Sequence, residues 1–107
     1  MLNPIQLPIT FSPESITNFC DRWKVVEFAV FGSVLRDNFN DNSDIDILVT
    51  FDESAHPTLF SLVEMTDELE TLLGRNVDLH TRNSIETSRN PLIRKHILSN
   101  AQVIYAK

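Results

Sequence analysis

The sequence predicts an α/β fold of the α+β kind: a small mixed β-sheet flanked by helices. Three observations carry that expectation. Apolar residues at helical spacing alternate along the chain with short β-branched runs, the pattern of helices layered on a sheet. The strand-like runs are bounded by Gly, Asn, Asp or Pro. The chain has 107 residues, enough for one domain with its own core, so a single domain over 1–107 is expected.

Residues 1–11 are interrupted by Pro4 and Pro8 and read as an extended N-terminal arm. Ser12, Pro13 and Glu14 then form a helix start, with a capping hydroxyl, a proline in the first turn and an acid facing the positive end of the helix dipole. Ile16, Phe19, Cys20 and Trp23 follow on one helical face. "VVEFAVFG" (25–32) reads as a strand ending at Gly32. A short helix is expected over 33–37 and a turn over "NFNDNS" (38–43). "DIDILVTF" (44–51) is a second strand, whose alternation puts Asp44, Asp46, Leu48 and Thr50 on one face. His56 and Pro57 open a longer helix with Leu59, Leu62, Val63, Leu69, Leu72 and Leu73 as its buried stripe and Gly74 as its stop. "NVDLH" (76–80) is a third strand, a helix is expected around Pro91 to Leu98, and "QVIYA" (102–106) is a last strand.

Charge narrows the partners. The formal net charge is −6, whereas proteins that grip nucleic-acid phosphates carry an excess of Lys and Arg, so direct nucleic-acid binding is disfavoured. The balance is uneven: residues 1–74 hold 13 acids and 3 bases, residues 75–107 hold 2 acids and 6 bases. The basic segment from Arg75 to Lys95 is, on charge alone, the candidate docking surface for a partner. One cysteine, Cys20, allows no internal disulfide. No apolar run is long enough for a bilayer and the N-terminus lacks a signal-peptide pattern, so a cytoplasmic protein with no membrane partner is expected.

The chemistry-bearing residues fall in two clusters. Asp44 and Asp46, two positions apart on a strand, project from one face with backbones roughly 6 to 7 Å apart. Carboxylates that close repel unless a cation lies between them, and magnesium takes oxygen ligands while keeping coordination positions for water and phosphate. Gly32 and Ser33 form the matching half: glycine lets the backbone approach a phosphate, and a following helix start offers unpaired N–H groups. Asp78 supplies a third carboxylate if its strand pairs beside the second. Three carboxylates can hold two divalent ions for in-line displacement at phosphorus, and the third can take a proton from an attacking hydroxyl. His80 shares a strand face with Asp78 and is given no role.

"FGSVLRDNFNDNSDIDILV" (31–49) closely resembles the signature of the minimal nucleotidyltransferases, the MNT-domain proteins of the DNA polymerase β superfamily, and the resemblance extends over most of the chain. It implies a polymerase β-like nucleotidyltransferase fold. It also implies that Gly32 and Ser33 bind phosphate and that Asp44, Asp46 and Asp78 are the metal-binding and catalytic carboxylates. Arg36 matches an arginine that faces phosphate or a partner, and Ser43 a turn residue that orients the Asp pair. Many members have a glycine after that arginine and a small residue before it; this chain has Asp37 and Leu35. The implied cofactor is Mg2+, two ions, with ATP as substrate. The implied partner is a HEPN-domain toxin, held in a hetero-oligomer and silenced by AMP transfer to a tyrosine. The alternatives are a binding-only antitoxin, or a nucleotidyltransferase acting on a small molecule or on tRNA.

Overall fold

The computed structural model describes residues 11–32, 44–87 and 89–107. The elements are α1 (Pro13–Trp23), β1 (Val25–Phe31), β2 (Ile45–Phe51), α2 (Leu59–Leu73), β3 (Val77–Thr81), α3 (Arg82–Glu86), α4 (Pro91–Asn100) and β4 (Gln102–Ala106). The strands form one mixed sheet in the order β3-β2-β1-β4. β1 runs antiparallel to both β2 and β4, while β2 and β3 are parallel. A parallel pair needs a crossover, and α2 is that crossover.

Strand alternation divides the side chains between two layers. On one face Ile45, Ile47 and Val49 of β2 and Val77 of β3 pack with Ile16, Phe19 and Cys20 of α1 and with Met65 and Leu69 of α2. On the other, Ala29, Phe31 and Leu48 pack with Ile85 of α3, and Ile97 and Leu98 of α4 close over them. A bulge makes this division work in β1. Val25 lies opposite Phe51 but Glu27 opposite Thr50, so one extra residue lets Val25, Phe28 and Val30 all enter the first core. Phe19 and Phe28 meet edge-to-face there, 6.1 Å between centroids. Cys20 is fully buried beside them, and burial pushes its thiol pKa up to about 12, so it stays protonated and inert at neutral pH.

The helix starts follow their local chemistry. The Ser12 hydroxyl accepts from the Ser15 N–H and Pro13 opens α1, as expected. Gly74 stops α2 in the left-handed conformation, φ +67°, its N–H donating to the Glu70 carbonyl. α2 begins at Leu59, after His56 and Pro57, because Thr58 and Ser61 form a reciprocal capping box. Thr58→Ala is expected to lower stability by about 1 kcal/mol, read as a fall in Tm or in urea midpoint with the slope unchanged.

The stripe expected of α2 and the expected order of elements need correction. Leu59 and Val63, placed in the buried stripe of α2, are exposed, Leu59 by 78% and Val63 by 54%. The helical period gives a face but not how far the neighbouring core extends beneath it: Leu62, one turn on, packs against the core, whereas Leu59 and Val63 do not. The stripe's missing member is Met65, wholly buried between Leu62 and Leu69. A further helix, α3, follows β3 directly, started by the Thr81 hydroxyl accepting from the Ser84 N–H. Five residues are too few to show a helical period. The expected short helix at 33–37 and turn at 38–43 lie outside the described residues, as do residues 1–10 of the N-terminal arm.

Candidate active site

The candidate site lies where β1 ends and β2 and β3 begin, on the sheet face that α3 and α4 cover farther along. Asp46 is the second residue of β2 and lies opposite Phe31, the last of β1. In the parallel ladder Asp46 pairs with Asp78 and Leu48 with His80, so period-2 alternation brings Asp46, Asp78 and His80 to one face. Buried Leu48 and Phe31 form the floor behind them. The conditional expectation for Asp78 is thus met: its strand pairs directly beside β2.

His80 Nε2 lies 3.0 Å from Asp78 Oδ2. The imidazole also packs against the Phe31 ring, with centroids 5.3 Å apart and planes at 60°. One side of the ring is therefore held by carbon and the other addresses a carboxylate. Ligand atoms of Asp46, Asp78 and His80 all lie within 4.8 Å of one another. The Asp78 side chain is 59% exposed and that of His80 29%, so the site is open on the β3 side.

Gly32 completes the wall. It follows β1 with φ +76°, a conformation L side chains rarely adopt. A Cβ built there would collide with Asp46 Oδ2 and stand 3.2 Å from Asp46 Cγ. The absent side chain is what gives the carboxylate its place. Asp44 is exposed and precedes β2, whose first residue, Ile45, donates its N–H to the Asn76 carbonyl at 3.0 Å. It stands outside the group formed by Asp46, Asp78 and His80. Ser33, Arg36 and Ser43 lie outside the described residues. Sequence reasoning left His80 without a role, although the alternation of β3 that placed Asp78 placed His80 as well.

The donor set fits a divalent cation. Two carboxylates approach each other, with an imidazole beside them, and two negative charges so placed are most stable with a cation between them. Among the described residues no helix is long and apolar enough to cross a membrane.

Comparison with known proteins agrees with this geometry. The family model described as the nucleotidyltransferase domain matches residues 13–104. A candidate protein adenylyltransferase of Methanocaldococcus jannaschii is 43% identical over 77 residues, covering 72% of this chain and 74% of the relative. The structure of a candidate minimal nucleotidyltransferase is 34% identical, with a TM-score of 0.64, covering 83% of this chain and 85% of that one. A toxin–antitoxin crystal structure with AMP-PNP shares the fold at 19% identity, TM-score 0.67, over 88% of this chain and 73% of its own. Matched along most of its length and folded like these relatives, the chain belongs to the nucleotidyltransferase domain family, among its minimal members.

Proposed function

We propose that this chain is an antitoxin that transfers AMP from ATP to a tyrosine hydroxyl of a cognate HEPN-type ribonuclease toxin, and so neutralises it. The observation that carries this reading is the side-by-side placement of Asp46 and Asp78 against the open wall at Gly32. Family membership supports nucleotidyl transfer. The name of the archaeal relative supports a protein as acceptor, and the toxin–antitoxin neighbour with AMP-PNP supports the donor and the kind of partner. The net charge of −6 weighs against RNA as acceptor.

Asp46 and Asp78, with Asp44 at the mouth of β2, would hold Mg2+, expected as two ions. Bound there, the metal supplies charge neutralisation of the triphosphate and polarisation of the α-phosphoryl group. Gly32 and Ser33 are assigned to the triphosphate tail, Arg36 to its charge, and Ser43 to orienting the Asp pair. In the transfer, the tyrosine oxygen bonds to the α-phosphorus and pyrophosphate leaves with the electrons of the broken P–O bond. The hydroxyl proton passes to Asp78, the more exposed of the two paired carboxylates.

In addition to the basic segment from Arg75 to Lys95, apolar residues of α2 offer a partner surface. Within the segment from Arg75 to Lys95, Arg82 is tied to Glu27 at 3.3 Å and Glu86 at 2.9 Å, and Arg94 donates to the Glu86 carbonyl. The first turns of α2 instead expose Leu59, Phe60 at 82%, and Val63, with exposed Glu64 and Asp67 alongside. An apolar toxin surface with a basic rim would cover them. Phe60→Asp is expected to weaken the complex by roughly 2 kcal/mol, about thirtyfold in Kd, with Tm of the free chain unchanged. Calorimetry or biolayer interferometry with the purified toxin reads this.

The test of the function is radiolabel transfer. The protein is incubated with α-labelled ATP, Mg2+ and the HEPN toxin encoded with it, and the toxin's ribonuclease activity is followed in parallel. Label on a toxin tyrosine, lost with Asp46→Asn, together with silenced RNA cleavage, is the expected outcome. Neutralisation that persists in Asp46→Asn with no label on the toxin would assign the chain as a binding-only antitoxin instead.

A further inference from the structure

We propose that His80 is the third donor of a mixed carboxylate–imidazole cation site with Asp46 and Asp78, and that it tunes this chain toward first-row transition ions over Mg2+. The proposal rests on the reading of this site as metal-binding and goes beyond it by naming a ligand and a selectivity.

Three observations carry it. The ligand atoms of the three residues lie within 4.8 Å of one another, so a small inward movement closes them on one ion. The approach of His80 Nε2 to Asp78 Oδ2, 3.0 Å, is the separation of neighbouring ligand atoms around an octahedral ion with bonds of about 2.1 Å, roughly 3.0 Å. The ring is also fixed in that direction: Phe31 packs on it edge-to-face, and β3 holds it two residues from Asp78 and beside Leu48. Without an ion, that 3.0 Å contact is one that Nε2–H donates to Asp78 Oδ2; an ion seated there would take the place of that proton, leaving the ring's proton on Nδ1 and the Nε2 lone pair on the metal.

Donor chemistry then sets the preference. Mg2+ favours oxygen and gives up water reluctantly, so an imidazole nitrogen adds little to its binding. Manganese and the later first-row ions accept carboxylate and imidazole together. An all-carboxylate trio would not discriminate in this way. The nitrogen donor should therefore strengthen binding of the transition ions much more than that of Mg2+.

The experiment uses the full chain without nucleotide, titrated with Mn2+ or Mg2+, with bound Mn2+ followed by pulsed electron spin resonance. Circular dichroism checks that each variant folds. The wild type is expected to bind Mn2+ at least ~10-fold more tightly than Mg2+, with nitrogen modulation from the imidazole in the Mn2+ echo. His80→Ala should lose that modulation and about tenfold in Mn2+ affinity, with Mg2+ affinity changed less than ~2-fold. His80→Asp, a carboxylate replacement, should bring the two affinities to within ~3-fold of each other. Unchanged Mn2+ affinity and persistent nitrogen modulation in His80→Ala, where Asp46→Asn abolishes binding, would remove His80 as a ligand and leave the nucleotidyl-transfer reading standing. Wild-type protein that takes up neither ion, with or without ATP, would overturn both.

Discussion

Asp46→Asn is expected to reduce AMP transfer by about 10³-fold while the protein stays folded. The two halves of that expectation have separate physical sources. Asn keeps the shape of the side chain, so the ladder that pairs Asp46 with Asp78 and Phe31 is undisturbed. Removing one of two facing carboxylates also relieves their mutual repulsion in the metal-free protein, so the variant should stay folded. Binding suffers because a neutral amide oxygen is a far weaker partner for a divalent cation than a carboxylate. On the proposed function, Mg2+ and ATP together stabilise the wild type by binding the folded state, and that gain should be absent from the variant. A thermal melt with and without Mg-ATP, beside the label assay, reads both. A variant that melts normally, gains the wild-type increment with Mg-ATP and still transfers AMP would show that the ion does not sit at Asp46.

How far the site could be read in advance depended on which physical rule governed each residue. Strand alternation is rigid, so Asp46 and Asp78 could be assigned a face from spacing alone, and the parallel register set them opposite each other. Asp44 obeyed the same arithmetic less well because β2 starts after it, at Ile45, and alternation holds only inside the ladder. His80 was legible in position but not in role. An imidazole near a carboxylate is informative only once its partner distance and the wall behind it, here Phe31, are known. Helical period proved a weaker guide: it named Leu62 and Leu69 of α2 correctly and also named Leu59 and Val63, which overhang into solvent. Whether an apolar face is covered depends on the extent of the neighbouring element, a tertiary property that one element's sequence does not contain.

The second large effect is expected from a single methyl group. Gly32→Ala should lower AMP transfer by roughly 10²-fold, because the added Cβ occupies the place of Asp46 Oδ2 and drives that carboxylate out of alignment. The left-handed backbone at Gly32, φ +76°, adds a stability cost of about 1 to 2 kcal/mol for any residue with a Cβ. These two consequences can be separated within the same protein. Gly74 is also left-handed, φ +67°, but a Cβ there would meet nothing within 4 Å. Gly74→Ala should therefore cost about the same stability, on the order of 1 kcal/mol, and leave transfer at its wild-type rate. Equal losses of Tm with unequal losses of activity would assign the role of Gly32 to space beside Asp46 and not to backbone flexibility. Equal losses of both, in assays run well below either melting point, would mean that the collision is relieved by a side-chain rotation that function tolerates.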